Sequence, residues 1–96
     1  MNITELLTFC IKHNSSDLHI SAGLPPMVRV DGELKRLSLP AFDQEMVTSL
    51  LYDIMNDKQR KVFDEFFEVD FSIEIENLDR FRVNLFNQSR GMGGVF

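Results

Sequence analysis

The residues of this sequence best suited to chemistry are three arginines near its C-terminal end. Arg80, Arg82 and Arg90 lie in a stretch, positions 80–96, that contains no acidic residue. A guanidinium group presents a rigid fork of N–H donors, which matches the oxygen geometry of a phosphate. Arg82 and Arg90 are therefore candidate phosphate contacts, and the glycines after Arg90 permit close backbone approach. The alternative for Arg82 is a cross-strand ion pair with Glu74.

The sequence contains no complete catalytic or metal-binding motif. No glycine is followed by lysine, so the glycine-rich loop that cradles phosphates is absent. His13 and His19 fall on different predicted elements, and neither has a neighbouring nucleophile. The single cysteine, Cys10, excludes both an internal disulfide and a zinc site built from several cysteines. We therefore predict no catalytic residue and no metal site in these residues.

Length, charge and hydropathy bound the class of protein. The 96 residues suffice for one domain, and 44% hydrophobic with 26% charged residues is typical of a globular protein. The formal net charge of −5 is uneven, with −8 in residues 43–79 and +3 in residues 80–96. An acidic balance argues against a nucleic-acid partner. The apolar runs are too short for membrane insertion and no secretory signal is readable, so we expect a cytoplasmic protein.

The sequence patterns predict a leading helix and a central helix pair. Asn2 and Glu5 form a capping box at the first helix, whose apolar stripe includes Cys10. The second helix begins after Asp43, and the third begins at the pair Asn56-Asp57. The third helix carries the apolar residues Val62, Phe63, Phe66 and Phe67. Nine phenylalanines and no tryptophan predict a core built on aromatic packing.

Alternation of polar and apolar residues predicts strands over positions 17–21, 27–31, 69–76 and 80–85. Matching of inner faces favours three-residue loops in both hairpins, which pairs Arg29 with Glu33. In the second hairpin the predicted loop covers positions 77–79, which places Glu76 opposite Arg80 and Glu74 opposite Arg82. Positions 91–96 are predicted to be extended and to leave a bare sheet edge open to dimerisation or swapping. The fold class is α+β, an antiparallel sheet with the helices on one face.

Five runs of the sequence have a familiar order. Together they resemble the N-terminal domain of the secretion ATPase superfamily, in its branch of twitching motility and pilus retraction ATPases. The resemblance covers essentially the whole chain. The runs are SDLHI at 16–20, LPPMVRVDG at 24–32, YDIMNDKQR at 52–60, RFRVN at 80–84 and NQSRG at 87–91.

The resemblance implies a PAS-like domain of a cytoplasmic homo-hexamer at the base of the type IV pilus, on the inner face of the membrane. It implies ATP and Mg²⁺ in the full-length protein, bound between this domain and a catalytic domain of the same or a neighbouring subunit. Arg82 matches the arginine after the aromatic residue in the family motif, and Arg90 has a less secure match. Both become candidate contacts to nucleotide phosphates. For positions 1–96 alone, an N-terminal domain without the phosphate loop, we expect no cofactor and no ATP hydrolysis.

Two other functions remain open from the sequence. One is a free-standing PAS-like module that binds a small ligand or a partner protein. The other is the same domain in an ATPase of pilus assembly or secretion, because the SDLHI and RVDG runs are shared across the wider superfamily.

Overall fold

A computed structural model describes residues 2–76 and 78–96, and it confirms the α+β fold class. Three helices accompany a six-stranded antiparallel sheet with the strand order β3-β2-β1-β6-β5-β4. Within the described residues no helix is both long enough and apolar enough to cross a membrane. The elements are α1 Ile3–Lys12, β1 Asp17–Ser21, β2 Met27–Val30, β3 Glu33–Arg36, α2 Gln44–Asp53, α3 Asp57–Phe66, β4 Glu68–Ile75, β5 Asp79–Gln88 and β6 Gly91–Val95.

The helices begin where their capping residues predict. Asn2 and Glu5 exchange both capping-box hydrogen bonds at α1. The side chain of Asp43 accepts from the backbone N–H of Met46 at α2, and Asn56 forms a second capping box at α3. Each cap satisfies backbone N–H groups that lack a partner in the first helical turn, which fixes the start of the helix.

The core lies between the three helices and one face of the sheet, and it is mainly aliphatic. Its largest fully buried side chains include Leu7, Leu18, Ile20, Leu51 and Leu85. Cys10 is buried among them, as predicted, and burial raises the pKa of its thiol to about 11. The predicted aromatic core is wrong. Among the nine phenylalanines the buried ones are Phe42, Phe63 and Phe96, whereas Phe9, Phe66 and Phe67 are exposed.

The hairpin of β2 and β3 has a two-residue loop, so the predicted pairing of Arg29 with Glu33 is wrong. Val30 lies opposite Glu33, and Arg29 lies opposite Leu34. Asp31 and the following glycine both have positive φ, 51° and 81°, as a type I′ turn requires. Matching of inner faces does not determine the loop here, because every residue of β3 is exposed.

In the hairpin of β4 and β5 the predicted residues face the helices, but the register is two residues away from the predicted one. Glu74 lies opposite Arg80, and Ser72 lies opposite Arg82. The predicted pairings of Glu74 with Arg82 and of Glu76 with Arg80 are therefore wrong.

The register differs because both strands are placed one residue earlier than the predicted loop allows. Strand β4 ends at Ile75 and β5 already begins at Asp79, so the connection covers positions 76–78, of which Asn77 lies outside the described residues. The same side chains face the helices in both registers, because the apolar Phe71 lies opposite the apolar Val83 rather than opposite a residue of the other face. Burial fixes which face a strand presents, but it does not distinguish registers that differ by two residues.

Strand β6 is the centre of the sheet, so the predicted bare edge at positions 91–96 is wrong. It pairs with β1 on one side and with β5 on the other, and the edges of the sheet are β3 and β4. Its glycines allow close packing: a Cβ at Gly94 would lie 2.7 Å from Leu85 Cδ2 and 3.4 Å from Leu51 Cδ2. The helix α2 and the sheet therefore approach each other most closely at this strand.

Candidate functional site

The face of the sheet turned away from the helices carries most of its charged side chains. Register places Met27, His19, Val95, Asn84 and Asp70 in one row across β2, β1, β6, β5 and β4. We call this surface the open face. Side chains on one face alternate along each strand, so Arg82 shares it with Asn84.

Arg82 is held on the open face by Asp70. Its Nη2 donates to Asp70 Oδ2 at 2.7 Å, and its Nε donates to Oδ1 at 3.3 Å. The Arg82 side chain is nevertheless 80% exposed. The hydrogen bond and the charge of Arg82 lower the pKa of Asp70, and those of Asp70 raise the pKa of Arg82. The structure thus presents an accessible guanidinium whose orientation is fixed by a carboxylate.

A groove on the open face runs between Arg82 and the first residue of β1. It is lined by Asp17, Asp70, Arg82 and Asn84, with Val95 and Phe96. Asp17 accepts from Arg29 Nε at 3.0 Å, so both carboxylates of the groove are paired with a guanidinium. In this arrangement the groove has no surplus positive charge, and an anion would have to draw Arg82 away from Asp70.

Arg80 forms a second ion pair on the same strand and the same face. Its Nη2 lies 3.3 Å from Glu74 Oε2, and both side chains are about as exposed as that of Arg82, at 70% and 71%. The sequence predicted Glu74 as the partner of Arg82, and the structure gives it to Arg80 instead. Arg80 is therefore a matched control for every experiment on Arg82.

Arg90 lies far from Arg82. It occupies the turn between β5 and β6, where its side chain runs beside Gly23: a Cβ at Gly23 would lie 3.7 Å from Arg90 Cδ. Along β5 the distance from Arg82 to Gln88, six residues later, is about 20 Å. Arg82 thus lies within β5 and Arg90 lies beyond its end, and they are two separate candidates rather than one site.

Sequence reasoning missed Asp70 as the residue that orients Arg82. The signal was present, because Asp70 lies diagonally across the hairpin from Arg82 in the observed register, next to its direct partner Ser72. This placement of Asp70 follows only when the register of β4 and β5 is known. Among residues 2–76 and 78–96, no group of His, Cys, Asp and Glu is arranged to hold a metal ion.

The Arg82–Asp70 pair should make the stability of the fold depend on pH. Because the folded-state pKa of Asp70 is lowered, its ionised form stabilises the fold above the ordinary carboxyl pKa, and this contribution is lost as the pH falls through the lowered value. Carbon-13 NMR titration of Asp70 should give a pKa below that of an ordinary aspartate. In R82A the pKa of Asp70 should return to the ordinary range, whereas in R80A it should stay low. An unchanged Asp70 pKa in R82A would show that the two side chains do not interact in solution.

No family model matches this chain, but it is similar to part of several pilus ATPases. It is 62% identical over 96 residues to the type IV pilus retraction ATPase PilT of Pseudomonas aeruginosa, covering all of this chain and 28% of that protein. It is 45% identical over 94 residues to a twitching motility protein of Neisseria gonorrhoeae, covering 98% of this chain and 25% of that protein.

A solved structure in the same family is similar to this chain. The crystal structure of the pilus retraction motor PilT with bound ADP matches 99% of this chain and 28% of that chain, with a TM-score of 0.91 and 35% sequence identity. The chain thus spans about a quarter of the length of the proteins it matches. The sequence and structure matches both cover nearly the whole chain, and the chain is therefore homologous to the N-terminal region of the PilT family of pilus retraction and twitching motility ATPases.

Proposed function

We propose that these residues act as the N-terminal, PAS-like domain of a hexameric ATPase that powers type IV pilus retraction and twitching motility. The observation that carries the proposal is the 62% identity to PilT over the whole chain. In this proposal the domain packs on the catalytic domain of its own or a neighbouring subunit and closes over the nucleotide. The hexamer works at the cytoplasmic side of the membrane, on the pilus base machinery.

The open face supports a role for Arg82 in contacting nucleotide phosphates. Its guanidinium is 80% exposed, projects from a strand rather than a loop, and is oriented by two hydrogen bonds to Asp70. A phosphate group offers the same bidentate geometry as a carboxylate with more negative charge. An arriving phosphate would thus replace Asp70 without rebuilding the backbone. Arg90, exposed in the turn before β6, is proposed as a separate phosphate contact.

In this proposal the remaining chemistry belongs to the catalytic domain. ATP hydrolysis needs a loop that cradles the phosphates and ligands that hold Mg²⁺. This segment contributes a docking surface and one or two guanidinium groups, and we propose that it does not hydrolyse ATP by itself.

A chimera tests the proposal. Residues 1–96 would replace the matching region of P. aeruginosa PilT, and ATP turnover and twitching would be measured against the parent. Because the fold and most residues match, we expect turnover within a few-fold of the parent and twitching to be retained. Turnover without twitching would favour an assembly or secretion ATPase as the source of the domain. Loss of both in a chimera that still forms hexamers would contradict the proposal.

A further inference from the structure

We propose that the end of helix α3 is a docking surface for a basic protein surface that contains an apolar pocket. The surface consists of the two exposed aromatic residues Phe66 and Phe67 and their acidic neighbours Asp64, Glu65 and Glu68. We call it the FF patch. The partner we propose is another part of the PilT-like assembly, so the identity of the partner rests on the proposed function, whereas its chemistry rests on the patch itself.

The first observation is exposure. Phe66 is 66% exposed and Phe67 is 59% exposed, the two highest values among the large hydrophobic residues of the described chain. They are adjacent in sequence at the end of α3, and each borders its own cleft. Exposed aromatic residues are enriched at protein–protein interfaces, in which they supply much of the binding energy.

The second observation is the backbone of Phe67. This residue ends α3 in the left-handed region, at φ 59° and ψ 21°. Glycine is the usual residue at such a helix end, because a side chain with a Cβ is disfavoured there. The conformation is imposed from both sides: Phe67 N donates to Phe63 O at 2.8 Å, and Asn87 N donates to Phe67 O at 2.9 Å. The chain thus holds an exposed aromatic residue where glycine would suit the fold better.

The third observation is charge. The last turn of α3 contains Asp64 and Glu65 and no basic residue, and Glu68 follows at once. Acidic groups at a helix C-terminus are unfavourable, because the end of the helix dipole is itself negative. Within the described residues, none of these three carboxylates lies within ion-pair distance of a cation. Asp64 accepts a hydrogen bond from the Tyr52 hydroxyl instead.

The exposed rings and the acidic helix end both oppose the stability of the chain alone, and one kind of partner would offset both. An apolar pocket would cover the two rings, and lysines or arginines at its rim would neutralise the acids and the helix end. The rings also border clefts that such a partner can enter. Phe66 lines one with Val62 and Phe71, and Phe67 lines another with Tyr52 and Met92.

A second copy of this chain fits the patch poorly. The chain has a net charge of −5, so two copies repel each other. The patch itself is acidic, so a symmetric pairing of two patches would also bring like charges together. A basic surface outside residues 1–96 fits the patch better.

The test begins with stability. In the 96-residue protein, F66S and F67G should not lower the midpoint of thermal unfolding, because both rings are mostly in water and glycine suits the left-handed position. F63A, which truncates a buried ring three residues earlier, should lower it by several degrees or prevent folding. A clear loss of stability in F66S and F67G would mean that the rings serve the fold, and the proposal would be wrong.

The decisive measurement is photocrosslinking in the PilT chimera. A benzophenone amino acid would replace Phe66, and in a matched control it would replace Leu34, which is 43% exposed on the edge strand β3. We expect crosslinks from position 66 to a peptide that contains apolar residues beside lysine or arginine, at several times the yield from position 34. The charge reversals E65K and E68K together should reduce that yield at least several-fold.

Each outcome separates this inference from the proposed function. A chimera that turns over ATP but shows equal crosslinking at positions 66 and 34 would overturn the docking surface and leave the proposed function standing. Crosslinks to an acidic or wholly polar peptide would also overturn it. An inactive chimera with strong crosslinks from position 66 to a basic, apolar peptide would support the docking surface while contradicting the proposed function.

Discussion

Replacing Gly94 by valine is expected to remove a large part of the stability of this protein. A Cβ at this position would lie 2.7 Å from Leu85 Cδ2 and 3.4 Å from Leu51 Cδ2. Both leucines are fully buried, so neither side chain has free space to move into. Inserting bulk into such a site costs up to about 3 kcal/mol and occasionally more. The total for a chain of this length is only about 5–14 kcal/mol.

Urea unfolding followed by circular dichroism would measure the effect. G94V should lower the midpoint strongly or give a chain that is unfolded without denaturant. The control is S72V, which adds the same side chain to an exposed position of β4 and should change the free energy of unfolding by less than about 0.5 kcal/mol. Equal midpoints for G94V and the parent would mean that α2 does not pack on β6 as described.

Replacing Arg82 by alanine in the PilT chimera is expected to lower ATP turnover about tenfold or more. In the proposed function its guanidinium neutralises charge on the phosphates, and removing such a preorganised donor in other enzymes costs about a hundredfold to a thousandfold. We expect R82K to fall between the parent and R82A, because lysine keeps the charge but loses the fork of donors.

The matched control is R80A. Arg80 lies on the same strand and face and has the same kind of exposed ion pair, but it is not proposed to contact nucleotide. R80A should therefore keep the turnover of the unmodified chimera. Equal losses of ATP turnover in R80A and R82A would indicate that both arginines act only as ion pairs of the β4–β5 hairpin.

Local signals in the sequence were enough to locate most elements. Capping residues placed the starts of the three helices, because a cap acts through hydrogen bonds within a single turn. Alternation placed β1 exactly at Asp17–Ser21, since a strand with one buried face must alternate. The α+β class followed from the order of these elements.

Pairing and burial were harder, because they depend on contacts distant in sequence. The pattern could not show that β3 lacks a buried face, so an argument from face matching chose the wrong loop there. Nothing near Gly91 indicates that the last strand inserts between β1 and β5. Phe66 and Phe67 fit the period of an apolar helix stripe, yet they lie past the point where α3 leaves the core.

The candidate site was predicted in part. Arg82 was selected because it lies in a stretch without acids, and its role as a phosphate contact stays a prediction. The sequence did not reveal that Asp70 faces it. The stretch that contains Arg82 has no acidic residue, but it pairs with β4, which is acidic. It also grouped Arg82 with Arg90, which strand β5 keeps apart.

The central position of β6 determines the order in which this domain can be completed during synthesis. Strands β1–β3 and β4–β5 form two hairpin-linked groups that can assemble from neighbouring residues as they leave the ribosome. They become one sheet only when Gly91–Val95 is inserted between them. A nascent chain lacking that final strand therefore carries two half-sheets with unpaired edges, and it is in this interval that chaperones and aggregation would compete for it.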